Sequence, residues 1–375
     1  MLNIENVENL FRYKLVFINI IKALTERRIS VKRLMFKGIH FTDTHYTHRN
    51  PQNRKDIMLV AGIEKTIEVA KKAKELDVDF IIHTGDFFDS ASVSDGVAGY
   101  VGNIYQKEFH KKVIVLPGGH DLRHNNMVTL DETKLGLLAN LGIVDIVTDS
   151  KKFMFEKDGF KVQISGVPSE TLISRTKEKS ILNKEDKEAD FAINLLHAMV
   201  LKENAHAGSY IPLSEIQQIT HANLTLIGHY HLGFDHYSYQ DDAMGFCKYF
   251  ANPGGLVRKY NFISEIERTP QFTYFKIYDD LTIDIEYIPL KSAKPGDEVL
   301  DREKMLEARE YEAKLEEFAN GINTFTEGEK NMDLTSNIED IFKRICEDIE
   351  DIVEQLEIMK IGLMFIENAK KILKL

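Results

Sequence analysis

Seven aspartates and histidines in this chain stand at the ends of apolar runs, where their spacing could assemble a metal site: Asp43 and His45, Asp86, His120, His197, and His229 with His231. Residues i and i+2 of an extended strand point to one face, so an apolar run ending in Asp43-Thr44-His45 delivers a carboxylate and an imidazole to one point in space. A hard oxygen beside a borderline nitrogen suits manganese, iron or zinc better than calcium. Alone, the pair fits a surface accident as well as a ligand. Its weight comes from the others, because each follows an apolar run and is followed by glycine or polar residues, as the mouth of an α/β sheet requires. Two metals about 3.5–4 Å apart, bridged by one carboxylate, need a count of this kind, and such a pair can clamp both oxygens of a phosphoryl displacement.

The elements that must position these residues alternate short apolar runs with amphipathic stretches, which argues for a layered α/β domain over residues 34–290. Strands are expected at Leu34–Phe41, Val78–His83, Val113–Leu116, Lys161–Gly166, Ala192–His197 and Leu224–Gly228. Helices are expected at Ile57–Leu76, with Val60, Ile63, Ile67 and Ala70 on its apolar face, and at Val97–His110. Tyr249–Ala251, Gln271–Tyr278 and Thr282–Ile288 suggest a closing β layer. Residues 1–33 read as an N-terminal helical extension with a broad apolar face, either a packing helix or a partner-binding arm. Beyond Pro289 the composition shifts: residues 291–335 read as a linker with a charged helix, and residues 336–375 as an apolar helical pair. That pair either folds back on its own core or buries its face against a partner.

The totals exclude several classes. Hydrophobic content of 43% and charged content of 29% are ordinary for a soluble globular protein. Two cysteines, Cys247 and Cys346, leave no disulfide framework and no cysteine-based zinc site, and fit a reducing cytoplasm. The apolar stretch Leu15–Leu24 is interrupted by Lys22 and too short to span a bilayer, so neither an anchor nor a signal peptide is expected. A net charge of -11 makes no case for a broadly basic surface, so any contact with a polyanion must come from local patches or bound cations.

Five strings in order, Asp43-x-His45, Gly85-Asp86-x-x-Asp89, Gly118-Gly119-His120-Asp121, the isolated His197, and Gly228-His229-x-His231, resemble the calcineurin-like metallophosphoesterases. Within that superfamily, the close spacing of the first motifs, the tail Asn252-Pro253-Gly254-Gly255-Leu256-Val257-Arg258 and the C-terminal helical pair are most similar to the SbcD type of DNA repair nuclease. The resemblance implies a four-layer α/β/β/α sandwich with a C-terminal helical appendage. It implies two divalent ions, manganese first, with magnesium, iron or zinc as alternatives. Asp43, His45 and His231 would hold the first, Asp86 would bridge, and His197 and His229 would hold the second. His120 would donate a proton to the leaving oxygen or steady the transition state, and Asp121 would orient His120 or anchor the turn. Implied too are exonuclease and endonuclease activity on DNA, a homodimer, and an SbcC-like ATPase of the SMC type gripped by the C-terminal helices, with no membrane association.

One position departs from the pattern. The family's turn is Gly-Asn-His-Asp or Gly-Asn-His-Glu, its asparagine a ligand of the second metal, and here that position is Gly119. Either water fills the gap, or His124, Asn125 or Asn126 swings in, or the second site binds weakly. The loss also admits a catalytically weakened scaffold, and the same metals would equally serve a phosphodiesterase or phosphatase for a small molecule or phosphoprotein. Asp89 falls where some nucleases of the family place a substrate-positioning histidine, and its role is open. His40 and His83 lie inside apolar strands and read as core residues; His48, His110, His206, His221 and His236 read as surface or supporting residues. Arg49, Asn50, Asn53 and Arg54 form either a polar loop or a contact to a phosphate backbone.

Overall fold

The computed structural model describes residues 32–148, 150–169, 189–202, 210–260, 263–301 and 303. The chain divides into two compact units, Met1–Val299 and Leu300–Leu375, and apart from residues 300, 301 and 303 the described residues belong to the first. The helix expected in residues 1–33 and the helices expected beyond 301 lie outside the described residues, apart from the short stretch leading into the first strand.

In chain order the strands are β1 (Leu34–Phe41), β2 (Phe80–His83), β3 (Val113–Val115), β4 (Val144–Ile146), β5 (Phe153–Lys157), β6 (Phe160–Val167), β7 (Phe191–His197), β8 (Val200–Leu201), β9 (Ile211–Pro212), β10 (Leu224–Gly228), β11 (Phe234–Asp241), β12 (Phe246–Asn252), β13 (Gln271–Tyr278) and β14 (Ile283–Pro289). The α-helices are α1 (Met58–Glu75), α2 (Asp95–Glu108), α3 (Lys134–Asn140), α4 (Leu213–Ile219), α5 (Ile263–Glu267) and α6 (Gly296–Val299). One sheet runs β14-β13-β1-β2-β3-β4 and the other β11-β12-β10-β7-β6-β5. Strands β1 to β4 are mutually parallel, as are β6, β7, β10 and β12, so each sheet has a parallel centre with antiparallel strands added at its edges.

The expected closing layer does not form as one unit. β12 pairs in parallel with β10 in the second sheet, whereas β13 returns antiparallel to β1 and carries β14 to the edge of the first. Side-chain alternation explains the layering. In β2, Ile81 faces the helices α1 to α3, where it joins Ile39, Phe41, Val69, Val101 and Leu138. Phe80 and Ile82 face the other way, meeting Phe36, Ile114, Val162, Ile193, Leu195 and Leu226 between the sheets. Leu196, Ile227 and Phe250 cover the far face of the second sheet against Leu213 and Ile216 of α4. Helices, sheet, sheet and helix are the four layers expected from the sequence.

The face of α1 differs from the expectation. Val60 is 50% exposed, and the helix buries Met58, Ala61, Thr66, Val69 and Ala73 alongside Ile63 and Ala70. The segment after β14, read as a linker, is tied down in its first part: Lys291 and Ser292 donate backbone N–H to the Glu68 carboxylate at 2.7 and 2.8 Å, and Arg258 reaches the Lys294 carbonyl at 2.8 Å. Among the described residues, no helix is long and apolar enough to cross a membrane.

Candidate metal centre

All seven residues lie at or just past the carboxyl ends of the parallel strands: Asp43 and His45 after β1, Asp86 after β2, His120 after β3, His197 ending β7, and His229 and His231 after β10. The two sheets are joined there by hydrogen bonds to backbone. The Leu256 N–H donates to the Thr42 carbonyl at 2.9 Å, and the His197 ring donates through Nδ1 to the Thr84 carbonyl at 2.7 Å. Close approach needs glycine: a Cβ on Gly118 would overlap the backbone nitrogen and Oδ1 of Asp86. The site also holds backbone in the left-handed region, with φ of 52° at Asp43, 43° at His45, 50° at Asp86 and 87° at His229. Such conformations cost energy for non-glycine residues and collect where a site dictates them.

The ligand-type atoms converge in linked clusters. Asp43, His45 and His231 form one, Asp86, His197 and His229 another, and His45, Asp86 and His120 a third that overlaps both, with the donor atoms of each within 4.8 Å of one another. His45 Nε2 stands 3.0 Å from His231 Nε2, 3.7 Å from Asp86 Oδ2 and 3.9 Å from Asp43 Oδ1. Asp86 Oδ2 also lies 3.3 Å from His197 Nε2, so one carboxylate oxygen faces both clusters. Asp43 directs Oδ2 at the Thr42 hydroxyl (2.9 Å) and the His229 N–H (3.0 Å). Its Oδ1 is fully buried and accepts no hydrogen bond among the described residues, and Nδ1 of His231 is likewise buried without a hydrogen-bond partner among them.

These observations fit divalent cations. A buried carboxylate oxygen without a donor, facing imidazole nitrogens that face one another, is a poor hydrogen-bond network and a good mixed O/N ligand set. Electrostatics agree. Burial lowers His45 and His229 to about 4, leaving neutral imidazoles. For His197 burial also opposes the charge, but Asp86 and Asp43 prevail and raise it to about 9. For both aspartates burial works against ionisation and the surrounding histidines outweigh it, holding Asp43 and Asp86 below the usual carboxylate range. Buried anionic charge beside imidazoles calls for a cation, and a bound metal would displace the proton.

His120 is the exposed member, with 41% of its side chain accessible and Nε2 4.0 Å from Asp86 Oδ2. Its backbone N–H donates to Asp86 Oδ1 at 2.9 Å, and its Nδ1 donates to the Asp89 carbonyl at 2.7 Å, which turns Nε2 toward the site. Among the described residues Asp121 makes no hydrogen bond to the His120 ring. Its buried carboxylate accepts from the N–H groups of Phe87 (3.1 Å), Phe88 (2.8 Å) and Gly118 (2.9 Å), so it anchors the turn. Burial and then the Asp86 charge push it up to about 7, against those three donors.

Two nearby residues carry no metal-ligand spacing and are not legible in the sequence. Lys259 Nζ lies 2.6 Å from Asp89 Oδ1 and 3.2 Å from His45 Nδ1, and the Tyr260 ring packs on His231 with centroids 4.8 Å apart. Their one signal is position, directly after the Asn252–Arg258 tail. Asp89 Oδ1 lies 3.2 Å from His45 Nδ1, so Asp89 and Lys259 form an ion pair directly behind the His45 ring. His40 and His83 are core residues as expected: burial lowers both to about 3, and they contact the hydroxyls of Thr84 (2.8 Å) and Thr44 (3.0 Å). Arg54 is corrected to a structural role, buried, paired with Asp56 at 2.6 Å and bonded to the Arg258 carbonyl. Asn50 caps α1 by accepting the Met58 N–H at 2.8 Å. Neither is free for a phosphate backbone.

Residues 36–233 match the family model described as calcineurin-like phosphoesterase. No curated protein sequence matches the chain. Among solved structures it is similar to TT1561 of Thermus thermophilus, at 10% identity and a TM-score of 0.42 over 68% of this chain and 99% of that one. It is also similar to the Haemophilus influenzae NAD nucleotidase NadN, at 13% identity and a TM-score of 0.43 over 73% of this chain and 55% of that one. The chain therefore spans about half the length of the nucleotidase.

Proposed function

The chain belongs to the calcineurin-like phosphoesterases, metal-dependent hydrolases of phosphoester bonds, and from that premise we propose that it is a metal-dependent nuclease that hydrolyses phosphodiester bonds of DNA. The observation that carries the reading is the pair of Asp/His clusters meeting at Asp86 Oδ2, with His120 exposed above the shared carboxylate. Asp43, His45, Asp86 and His231 would hold one ion, and Asp86, His197 and His229 the other. Manganese suits these oxygen and imidazole donors. Bound divalent ions would supply Lewis-acid charge to the phosphate oxygens and to the attacking water.

The chain's own contribution is placement and proton handling. His120 Nδ1–H donates a hydrogen bond to the Asp89 carbonyl, which leaves Nε2 facing the site, placed to give a proton to the leaving oxygen. The Asp89–Lys259 ion pair packs behind His45, and Asp121 keeps the turn that carries His120 against Phe87 and Phe88. A cavity of about 510 Å³ opens beside His120, lined by Asp89, Ser90, Ser92, His120, Arg123 and His124 among others. Its polar lining with a guanidinium suits the continuing phosphate chain of a nucleic acid.

Within this reading the chain is the nuclease subunit of an SbcC/SbcD-like assembly, with residues 336–375 gripping the ATPase, and it acts as a dimer. Co-purification with such an ATPase tests that part. The net charge of -11 favours the second reading, a phosphodiesterase for a small substrate. Cleavage of linear duplex and single-stranded DNA with Mn(II), run beside bis-p-nitrophenyl phosphate, separates the two. DNA cleavage is expected; turnover of the small ester with no DNA cleavage, with or without the partner, would refute the nuclease.

A further inference from the structure

We infer that Asn125 supplies an oxygen ligand to the second ion, in place of the side chain that Gly119 lacks; the inference rests on the two-ion reading above. It begins from an asymmetry. The first set has four residues, Asp43, His45, His231 and the shared Asp86, whereas the second has Asp86, His197 and His229 alone. A second ion of the same kind is therefore one protein donor short.

The missing donor should come from the turn lying against the second set. That turn is Gly118–Asp121. Its His120 N–H bonds Asp86 Oδ1 at 2.9 Å, and a Cβ on Gly85 would overlap His197 Nδ1 and come within 3.0 Å of the Gly118 Cα. Gly119, the middle of the turn, offers no side chain. A Cβ built there would meet Asn125 Oδ1 at 3.0 Å and Ser169 Oγ at 3.3 Å. The amide oxygen of Asn125 thus occupies the space into which a side chain at position 119 would grow.

That oxygen has no other occupation. It is buried and accepts no hydrogen bond among the described residues, which for an amide carbonyl is a cost unless a water or an ion is its partner. The chain bends to put it there: His124 and Asn125 are consecutive left-handed residues, with φ of 52° and 57°. An amide oxygen is a hard neutral donor that needs no deprotonation, and it suits the divalent ions that the Asp86, His197 and His229 set would take. Among the residues that could have filled the gap, Asn125 has this oxygen, while Asn126 spends its own on the Val128 N–H at 3.1 Å.

Mn(II) titration of the metal-free full-length chain, followed by calorimetry and by Mn(II)-induced thermal stabilisation, tests the inference without relying on activity. Wild type should bind two ions. Asn125→Ala should keep the first within about twofold and weaken the second by about 10- to 100-fold or more, the scale on which loss of even an indirect metal partner acts. Its metal-free melting temperature should fall only modestly, because alanine tolerates the left-handed backbone at 125 less well than asparagine, and that loss is common to the metal-free and metal-bound forms. Asn125→Asp should retain both ions. Gly119→Asn in the Asn125→Ala background should restore the second, because the truncation clears the space that a side chain at 119 needs. Two ions bound to Asn125→Ala at wild-type affinity would overturn the assignment and leave the two-ion reading intact. A single ion on wild type at saturating Mn(II) would overturn both.

Discussion

Asp121 sits at 0% exposure and holds three backbone N–H groups through one carboxylate, two of them directly after Asp86 and the third at Gly118. Replacing it with alanine leaves all three donors buried without partners. Each orphaned buried N–H costs about 1–3 kcal/mol, and after partial relaxation the set comes to about 3–6 kcal/mol, a large share of the roughly 5–15 kcal/mol that holds a domain together. Asparagine separates geometry from charge. Its oxygen can keep the Phe87 and Gly118 bonds, but its NH₂ then faces the Phe88 N–H, so Asp121→Asn should cost about 1–3 kcal/mol. Because burial and Asp86 raise the folded carboxyl to about 7, its ionised form is penalised in the fold and both losses shrink as pH rises from about 4 to 7, so urea denaturation of metal-free protein near pH 5 gives both values. A loss below about 1 kcal/mol for Asp121→Ala, or a larger loss for asparagine than for alanine, would refute the anchoring role.

Other outcomes follow from the same contacts. His120→Ala should lower turnover by about 10²- to 10⁴-fold with the metal content unchanged; metal loss would make His120 a ligand. Lys65 is buried, and burial first, then Arg54 and Arg258, lower its amine to about 8. The unfolded chain therefore binds more protons than the folded one between about pH 8 and pH 10.5, so Lys65 destabilises the fold at neutral pH and stability recovers as pH rises through that window. Lys65→Met should remove that slope and add at most about 3 kcal/mol at pH 7, and an unchanged pH profile would contradict it. Arg268 pairs with the buried Glu265 at 3.1 Å and donates to the carbonyls of Gly255 and Val257 at 2.7 Å each, holding the loop on which His231 rests. Arg268→Ala should destabilise by about 3–5 kcal/mol and weaken the first ion, whereas a stable variant with intact metal binding would show that Arg268 does not hold that loop.

The sequence made the chemistry legible because the ligand-type residues end buried parallel strands, where apolar runs stop abruptly at glycine and polar residues. β1 and β10 fall on the expected bounds for that reason, and β13, buried along most of its length, does so as well. The edge strands of the second sheet lack the signal: β5 and β11 are largely exposed, and the sequence of β11, Phe234-Asp-His-Tyr-Ser-Tyr-Gln-Asp241, shows no apolar run. The partner of β13 could not be read locally, since its pairing with β1 joins residues far apart in the chain, such as Ile39 and Tyr274. Lys259 was beyond pattern reading, and Asn125 could not be singled out from His124 and Asn126, for a related reason. Their positions depend on the folded path of a loop, and for Asn125 on two successive left-handed residues that the spacing does not announce.

Anomalous diffraction from crystals soaked in Mn(II) would locate the ions of a two-ion centre shared through Asp86. Two peaks about 3.5–4 Å apart are expected, one beside Asp43, His45 and His231 and the other beside His197 and His229. A single peak at saturating Mn(II), or peaks away from Asp86, would contradict the two-ion centre.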